Sequence, residues 1–414
     1  MIEEQHYRMR GYLNHMKVVR DPIHGYIELD ELMLSLIDTP PMQRLRRIRQ
    51  LGLSNLVYPG ANHTRFEHSL GVMHLATTLT RQIDSVSQQE KDELRVAALL
   101  HDIGHGPLSH VTEGFISKYT RQKHEDVLHL LRKGEIAEIL DKHGLSPTTI
   151  QRHIKGATDL GKVLSSEIDV DRMDYLVRDS HYTGVAFGLV DHVRLIHEMQ
   201  FYEGKLVVGT GGVKAAESLL VSRFLMHPSV YYHHVSRIAE TMCIRAIEEL
   251  IKDSTIDPME LRQMDDAHLL HIMRLDKGYG GDLARRLEER RLYKRALYVG
   301  FNEVTESVLK HRSNIRRLEA EISGMVGIEP TDVLIDIPCS PEIPELKALV
   351  KLNGKMVRLD EASYVVAILE KAHWDNWKMG VYTPKEFRED VGKVAKEFFE
   401  VKKTTKQFRL TELQ

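Results

Sequence analysis

The chain has 414 residues, of which 42% are hydrophobic and 28% charged, and 57 Lys+Arg against 60 Asp+Glu give a formal net charge of −3. This length allows two or more domains with their own cores, and the balanced charge argues against a protein that coats nucleic acid. The two cysteines, Cys243 and Cys339, lie far apart and outside any Cys-x-x-Cys pattern, and no run of about 18 apolar residues occurs. We therefore expect a reduced, cytoplasmic protein without a membrane or nucleic-acid partner.

The N-terminal region is predicted to combine a β-hairpin with short helices. Alternation over residues 17–29, with Asp-Pro and His-Gly breaks, predicts the hairpin. The pattern over 30–51 is helical, with a stop and restart around Thr39, which is the expected N-cap before two prolines. The predicted helix 43–50 carries four arginines, which would form either a solvated basic face or a phosphate-binding edge.

A buried helix that ends in a histidine and an aspartate is the central feature of the sequence. The apolar run 96–100 predicts the helix, and His101 and Asp102 stand at its end, before a Gly-Pro pair. Polar groups there cost several kcal/mol unless they bind something. His68 lies on the core-facing side of another predicted helix, where a lone histidine is more often a satisfied core residue. With His101 and Asp102 as partners, we interpret His68 as a metal ligand.

The segment 167–179 is unusually rich in acids for its apolar periodicity, and Asp171 is the best candidate for a fourth ligand. Asp169 and Asp174 are interpreted as surface or salt-bridged residues. The set His68, His101, Asp102 and Asp171 would hold one divalent metal ion (Mn, Mg, Fe, Ni or Zn), with positions open for water and a phosphate oxygen. Neutralisation of a polyphosphate and proton transfer would come from Arg65, His105, His110 and His124. Neither a P-loop nor a Gly-x-Ser-x-Gly elbow occurs.

The rest of the chain predicts a mostly α protein with a smaller α+β module at its C-terminal end. A β-hairpin is expected over 200–213, with its turn at Glu203-Gly204, and a helix over 223–238. A charged helix is expected over 285–295, and strands over 333–337, 355–359 and 377–382. The predicted division is a tail over 1–16, a phosphohydrolase core over 17–270 and a regulatory or oligomerisation module over 271–414.

Several motifs, in a fixed order, carry a resemblance to one known family. They are Asp21–Gly25, Ile37–Pro40, Gln43–Arg46, Gln50–Gly52, His63–Val72 and His101–His110, together with the H…HD…D pattern of the four proposed ligands. From about Lys17 to Ile238 the chain resembles the HD-domain deoxynucleoside triphosphate triphosphohydrolases, without the SAM domain that some members carry. The resemblance implies an HD-domain helical core with small β-hairpins.

The resemblance also implies roles for individual residues. It implies metal binding by the four ligands, and phosphate contact and catalysis by Arg65, His105, His110 and His124, with Glu113 where the family often has an aspartate. Tyr175 and Asp179 match contacts to the sugar 3′-hydroxyl that disfavour ribose. The other matches to substrate-binding residues are Gln50, Leu51, Arg223, His227 and Tyr231. The implied reaction is attack of water on the α-phosphorus, which yields deoxynucleoside and tripolyphosphate.

Regulation by nucleotides is a further implication of the resemblance. In the family, a guanine nucleotide and a dNTP bind between subunits and build an active tetramer, so a GTP or dNTP activator and a homo-oligomer (dimer or tetramer) are expected. The residues that match activator contacts are Lys17, Asp38, Gln43, Arg46 and His233. The chain departs from the pattern at Arg20, Arg172, Tyr232 and His234.

Two other functions are compatible with the sequence. One is an HD phosphohydrolase that acts on another nucleotide or phosphate ester. The other is a nucleotide-sensing or nucleic-acid-binding scaffold with a vestigial site, for which the basic helix 285–295 is the best support. The intact ligand set argues against the scaffold.

Overall fold

The computed structural model describes residues 16–339 and 348–402, and it is mostly α-helical, which confirms the predicted fold class. Residues 1–15 of the expected tail lie outside the described residues. The helices are α1 (Glu31–Ile37), α2 (Pro40–Arg44), α3 (Arg65–Arg81), α4 (Gln88–Leu100), α5 (His110–Thr120), α6 (Leu128–Leu131), α7 (Gly134–Lys142), α8 (Pro147–Ile154), α9 (Val170–Thr183), α10 (His192–Glu198), α11 (Val213–Met226), α12 (His234–Lys252), α13 (Asp266–Leu275), α14 (Tyr279–Glu288), α15 (Ile315–Val326), α16 (Leu359–Ala362), α17 (Tyr364–Ala372) and α18 (Arg388–Phe398).

The described strands form three small sheets. They are β1 (Lys17–Asp21), β2 (Gly25–Leu29), β3 (Met199–Tyr202), β4 (Lys205–Gly209), β5 (Lys294–Gly300), β6 (Leu334–Asp336), β7 (Leu349–Leu352), β8 (Lys355–Arg358) and β9 (Lys378–Thr383). β1 and β2 form the predicted hairpin, and a second sheet has the order β3-β4-β7-β8, with β4 and β7 parallel. The third sheet has the order β5-β9-β6 and is antiparallel.

The C-terminal strands correct the prediction of one charged helix over 285–295. Helix α14 ends at Glu288, and Lys294 and Arg295 begin β5, a strand that the sequence did not predict. Its apolar residues Leu297 and Val299 are buried against the third core cluster, and this packing outweighs the helical appearance of the preceding basic run. Strand β7 was also missed, whereas the three predicted strands correspond to β6, β8 and β9.

The interruption after α1 occurs as predicted, but the following helix is shorter than expected. Thr39 is the N-cap residue of α2, although its hydroxyl donates to the Leu36 carbonyl at 2.7 Å instead of capping the helix. Regular helix ends at Arg44, and Ile48 is already extended. The Arg65 N–H donates to the Ile48 carbonyl at 3.0 Å, so pairing with the segment before α3 replaces the last turns of the predicted helix.

Three helices bring the central motif into the largest core. α3 packs against both α4 and α9, and the apolar residues 96–100 of α4 are fully buried. Burying each large side chain there contributes about 1.5–3 kcal/mol. Ser87 caps the start of α4, and the helix stops at Leu100, so His101 is its C-cap residue. The core therefore fixes the position of the polar residues that follow it.

Two predicted helices are corrected in the same region of the fold. The helix expected over 223–238 is broken: α11 ends at Met226, a π-helical turn covers 227–231, and α12 begins at His234. Pro228 cannot donate a backbone hydrogen bond, which accounts for the break. The sequence Lys123-His124-Glu125 also predicts the start of a helix, but His124 lies in a loop, since α6 begins at Leu128.

The hydrophobic cores do not follow chain order. The first cluster runs from the β1–β2 hairpin to the π-helical turn and also takes in Val350, Leu359 and Val366, because β7 pairs with β4. The third cluster is built from residues 297–399. The boundary at 270/271 stays a prediction. In the described ranges, no helix has both the length and the apolar composition needed to cross a bilayer.

Candidate active site

The four predicted metal ligands converge from three helices. His68 lies on α3, His101 and Asp102 follow α4, and Asp171 lies in the first turn of α9. Asp171 Oδ1 is 2.8 Å from His68 Nε2 and 3.6 Å from His101 Nε2, and Asp102 Oδ1 is 3.4 Å from His101 Nε2. Ligand atoms of His68, His101 and Asp102 all lie within 4.8 Å of one another. This spacing allows the side chains to share one ion.

The other ring nitrogen of each histidine already has an acceptor. His68 Nδ1 lies 2.7 Å from Asp174 Oδ2, and His101 Nδ1 lies 2.8 Å from the Ala98 carbonyl. These contacts hold the proton on Nδ1 and turn both Nε2 atoms toward the shared space. His101 Nε2 is buried and has no hydrogen-bond partner among the described residues. A buried atom of this kind, with a second imidazole and two carboxylates around it, fits a divalent metal ion.

The charges around the ligands also favour a cation. Burial lowers the pKa of His68, but the carboxylates of Asp171 and Asp174 on either side of the ring outweigh it and raise the pKa to about 10. Burial raises the pKa of Asp102, but the adjacent Arg65 guanidinium outweighs it and holds this pKa well below its usual range. The carboxylates around His68 are therefore ionised, and a metal ion would take the place of the His68 proton.

A second cluster of histidines lies beside the ligands. Arg65 donates from Nη1 to Asp102 at 2.6 Å, and His105 Nε2 is 3.3 Å from the same carboxylate. The rings of His105 and His124 stack at 4.1 Å, and His124 Nδ1 is 2.9 Å from Glu113 Oε1. Burial raises the pKa of Glu113, but the His124 hydrogen bond outweighs it and lowers the pKa to about 2. Glu113 therefore stays ionised and orients His124.

Both clusters open into a cavity of about 490 Å³. The predicted site residues that line it are Gln50, Leu51, Arg65, His68, His101, Asp102, His105, His110, His124, Asp171, Tyr175, Asp179, Arg223, His227 and Tyr231. Asp179 is held by two side chains, since Oδ1 is 2.7 Å from His63 Nε2 and Oδ2 accepts from the Tyr231 hydroxyl at 2.8 Å. The Tyr175 and Tyr231 rings meet edge to face at 6.1 Å.

Two family models match this chain: "HD domain" over residues 65–179 and "HD associated region" over 190–410. The chain belongs to the HD-domain phosphohydrolase family. All four proposed ligands fall inside the matched HD domain, whereas Arg223, His227 and Tyr231 fall inside the HD-associated region. The cavity is therefore lined by both matched regions.

Relatives of this HD protein include characterised and uncharacterised proteins. An uncharacterized protein of Methanocaldococcus jannaschii is 37% identical over 384 residues, which cover 90% of this chain and 80% of that protein. The deoxynucleoside triphosphate triphosphohydrolase SAMHD1 of Gallus gallus is 31% identical, and the match covers 69% of this chain but 57% of that protein. A phosphohydrolase from Bacteroides thetaiotaomicron has a crystal structure with a TM-score of 0.73 and 27% identity, covering 89% of this chain and all of its own.

The residues predicted to contact an activator are only partly brought together. Gln43 Oε1 accepts from Arg46 Nε at 2.9 Å, and the Arg46 guanidinium lies 3.6 Å from the Phe66 ring centre. Lys17 is exposed at the start of β1, and Asp38 is exposed at the end of α1. His233 is the N-cap residue of α12. The activator role of these residues stays a prediction.

The acidic residues outside the ligand set are more deeply buried than expected. Asp169 is salt-bridged to Arg172, and Asp174 is salt-bridged to Arg178, as one of the two interpretations predicted. Neither aspartate is a surface residue. Each arginine lies three or four residues further along α9, which lets it reach back to the buried carboxylate. Asp174 also contacts His68, so it lies directly beside the proposed metal ligands.

Two arginines have structural roles near the site that the sequence did not indicate. Arg44 is neither part of a solvated face nor of a phosphate edge, because its guanidinium donates to the carbonyls of Ile103, His105 and Met264. Arg262, from the HD-associated region, donates to the carbonyls of Gly104 and His124 and to other groups of the 122–126 loop. Backbone acceptors have no sequence signature, so these roles could not be found by motif. The cavity residues that the sequence also missed are Gly52, Ser54, Leu108, Tyr232, Arg237 and Glu240.

Proposed function

We propose that the protein is a metal-dependent hydrolase of dNTPs that releases deoxynucleoside and tripolyphosphate. The observation that carries the proposal is the buried His101 Nε2, which makes no hydrogen bond to the described residues, among three further ligands and next to an arginine–histidine cluster in one cavity. The similarity to the deoxynucleoside triphosphate triphosphohydrolase relatives supports the choice of substrate. A regulatory nucleotide at Lys17, Asp38, Gln43, Arg46 and His233, between subunits of a homo-oligomer, belongs to the same proposal.

The residues around the metal site fit hydrolysis at a phosphorus atom. His68, His101, Asp102 and Asp171 would hold the ion, which supplies Lewis acidity toward a phosphoryl oxygen and makes a water more acidic. Water oxygen attacks the α-phosphorus, and the bond from that phosphorus to the sugar 5′-oxygen breaks. The 5′-oxygen leaves with a proton as deoxynucleoside, and the three phosphates leave together. Only positioning, charge compensation and proton transfer are then required of the protein.

The second cluster supplies those three contributions. Arg65 is fixed by Asp102 and by the Ser109 hydroxyl at 2.7 Å, so its charge is placed before the phosphates arrive. His124 is oriented by Glu113 through Nδ1 and lines the cavity, where it can transfer a proton to the leaving oxygen. Burial and the charges of Arg65 and His124 lower the pKa of His105 well below its usual value, so its imidazole stays neutral.

Product analysis by chromatography tests this proposal. The purified protein would be incubated with each dNTP and each NTP, in Mg²⁺ or Mn²⁺, with and without GTP. Deoxynucleoside and tripolyphosphate are expected, and a His101→Ala/Asp102→Ala variant should lose at least about 1000-fold of the rate, because it lacks two ligands. Release of dNDP, or turnover of NTPs alone, would instead assign the site to another phosphohydrolase reaction. Absence of turnover under every condition would contradict the enzyme and favour a sensor.

A further inference from the structure

A histidine from the N-terminal hairpin reaches the metal site through one carboxylate. His24 lies in the turn between β1 and β2, and its Nε2 is 2.6 Å from Asp174 Oδ1. The other oxygen of Asp174 is 2.7 Å from His68 Nδ1. All three side chains are buried, with exposures of 2%, 0% and 1%. His24 and the proposed ligand His68 are therefore joined through Asp174, across more than 40 positions of the sequence.

The carboxylate of Asp174 is fully occupied by hydrogen bonds. Oδ1 faces His24 and accepts from Arg178 Nη2 at 2.8 Å, and Oδ2 faces His68 and accepts from Arg178 Nε at 2.8 Å. A carboxylate offers about four acceptor positions, so each of them has a partner here. Removal of one donor would free one position and allow the group to rotate or to admit water.

The hairpin and helix α3 close the space around this carboxylate. Asp21 accepts from Arg178 Nη1 at 2.8 Å and from the His24 backbone N–H at 2.8 Å, so one side chain holds both the arginine and the hairpin turn. On the other side, a Cβ added to Gly71 of α3 would lie 1.9 Å from Asp174 Oδ1. The glycine thus lets α3 approach closely, and the position of Asp174 is set by packing as well as by charge.

We propose that His24 is a positioning residue for the metal ligand His68 and acts through Asp174. With its fourth acceptor position filled by His24, Asp174 keeps the proton on His68 Nδ1 and the ring in one orientation, so that Nε2 points at the metal position. His24 is not among the residues that line the cavity, so this role differs from substrate binding. The inference rests on the metal site of the proposed function, not on the identity of the nucleotide.

The affinity for Mn²⁺, measured by calorimetry on the full chain without nucleotide, tests the inference. We expect His24→Gln to weaken Mn²⁺ binding by about 10- to 100-fold, the usual effect of removing a group that orients a ligand. His181→Gln is the matched control, since His181 is an exposed residue of α9, the same helix that carries Asp174, and it should bind as the wild type does. Equal affinity of His24→Gln and wild type would overturn the inference.

A double-mutant cycle separates this role from a general loss of stability. Asp174→Asn keeps the shape of the side chain, and it should weaken Mn²⁺ binding at least as much as His24→Gln. If His24 acts through Asp174, the double variant binds like Asp174→Asn alone, whereas additive losses would overturn the inference. His24→Asn provides a second variant if His24→Gln does not fold.

The same measurements distinguish a failure of the proposed function from a failure of the role proposed for His24. A wild-type protein that binds no Mn²⁺ would overturn both of them. Non-additive losses of Mn²⁺ affinity without any dNTP turnover would support the role of His24 and contradict only the proposed reaction.

Discussion

Two buried clusters of charged side chains in this protein differ in how their charges are paired: one is closed by the Arg245–Glu319 ion pair, and the other opens into the cavity. At the interface of α12 and α15, Glu319 accepts from Arg245 Nη2 with both oxygens at 2.8 Å and from the Ile335 N–H at 2.9 Å. At the end of α4, by contrast, His101 Nε2 is buried without a hydrogen bond to the described residues, and its nearest carboxylate oxygens are 3.4 and 3.6 Å away. Arg245 Nη1 also lacks a hydrogen-bond partner in the described part of the chain, but its charge is matched by Glu319, whereas His101 Nε2 lies close to the ligand atoms of His68 and Asp102. An unpaired buried polar atom costs about 1–3 kcal/mol, and among other ligand atoms it is better explained by a bound ion than by stability.

Breaking the closed cluster of Arg245 and Glu319 should have the largest effect. We expect this effect on stability and not on metal binding. Glu319→Gln leaves the buried Arg245 with only the partly exposed Glu248 as a countercharge and should cost about 3 kcal/mol of unfolding free energy. The measurement is the urea midpoint, with Glu321→Gln as the control on the same helix, because that residue forms an exposed pair worth under about 1 kcal/mol. At temperatures where the variant is folded, its Mn²⁺ affinity should match wild type. A weakened metal site would show that the two clusters are coupled.

A smaller effect is expected on substrate choice at the open cluster. Tyr175→Ala removes the ring that the family resemblance places against the sugar, so the ratio of kcat/KM for dNTP over NTP should fall about 10-fold, or about 1.4 kcal/mol. Tyr119→Ala, at an exposed position of α5, is the control. Unchanged selectivity in competition assays would count against the assignment of this end of the cavity to the sugar.

The smallest expected effect is on the pH dependence of stability. It involves a histidine that lies close to the residues around Asp174. Burial, and then the nearby His24 and Arg81, lower the pKa of His74 to about 4. Between pH 6.5 and 4 the unfolded chain therefore binds a proton at His74 that the folded chain does not, and stability falls as pH falls through this window. His74→Gln should reduce the loss of Tm between pH 7.5 and pH 5 by roughly 2 °C. Equal losses in both proteins would exclude His74 as a source of acid sensitivity.

Short-range signals in the sequence mark the proposed ligands. A buried run that ends in His-Asp, and an acid-rich amphipathic helix, place His101, Asp102 and Asp171, and the structure brings them together with His68. Their roles as metal ligands stay predictions, whereas their convergence is observed in the structure. Strand β5 was missed because tertiary packing there overrides the local pattern, whereas the π-helical turn after Met226 was missed although Pro228 marks the break.

Contacts between distant parts of the chain were beyond the reach of motif analysis. His24 and Asp174 are 150 positions apart, and neither residue type indicates the other. Arg262 binds carbonyl groups, which every residue possesses, so its partners could not be named from the sequence. The sequence therefore indicates which side chains could bind a metal ion, and the fold shows which neighbours orient them.

The Arg262 contacts have a consequence for the modularity of this protein. A buried guanidinium from the HD-associated region binds the backbone at Gly104, directly before His105, and at residues 123–126 around His124. Asp266 of the same region accepts from the Leu108 N–H at 2.7 Å. A fragment cut at the end of the matched HD domain would keep every proposed metal ligand but lose these supports. We expect the two matched regions to be inherited, recombined and engineered as one unit, with transplanted HD domains requiring a compatible second region.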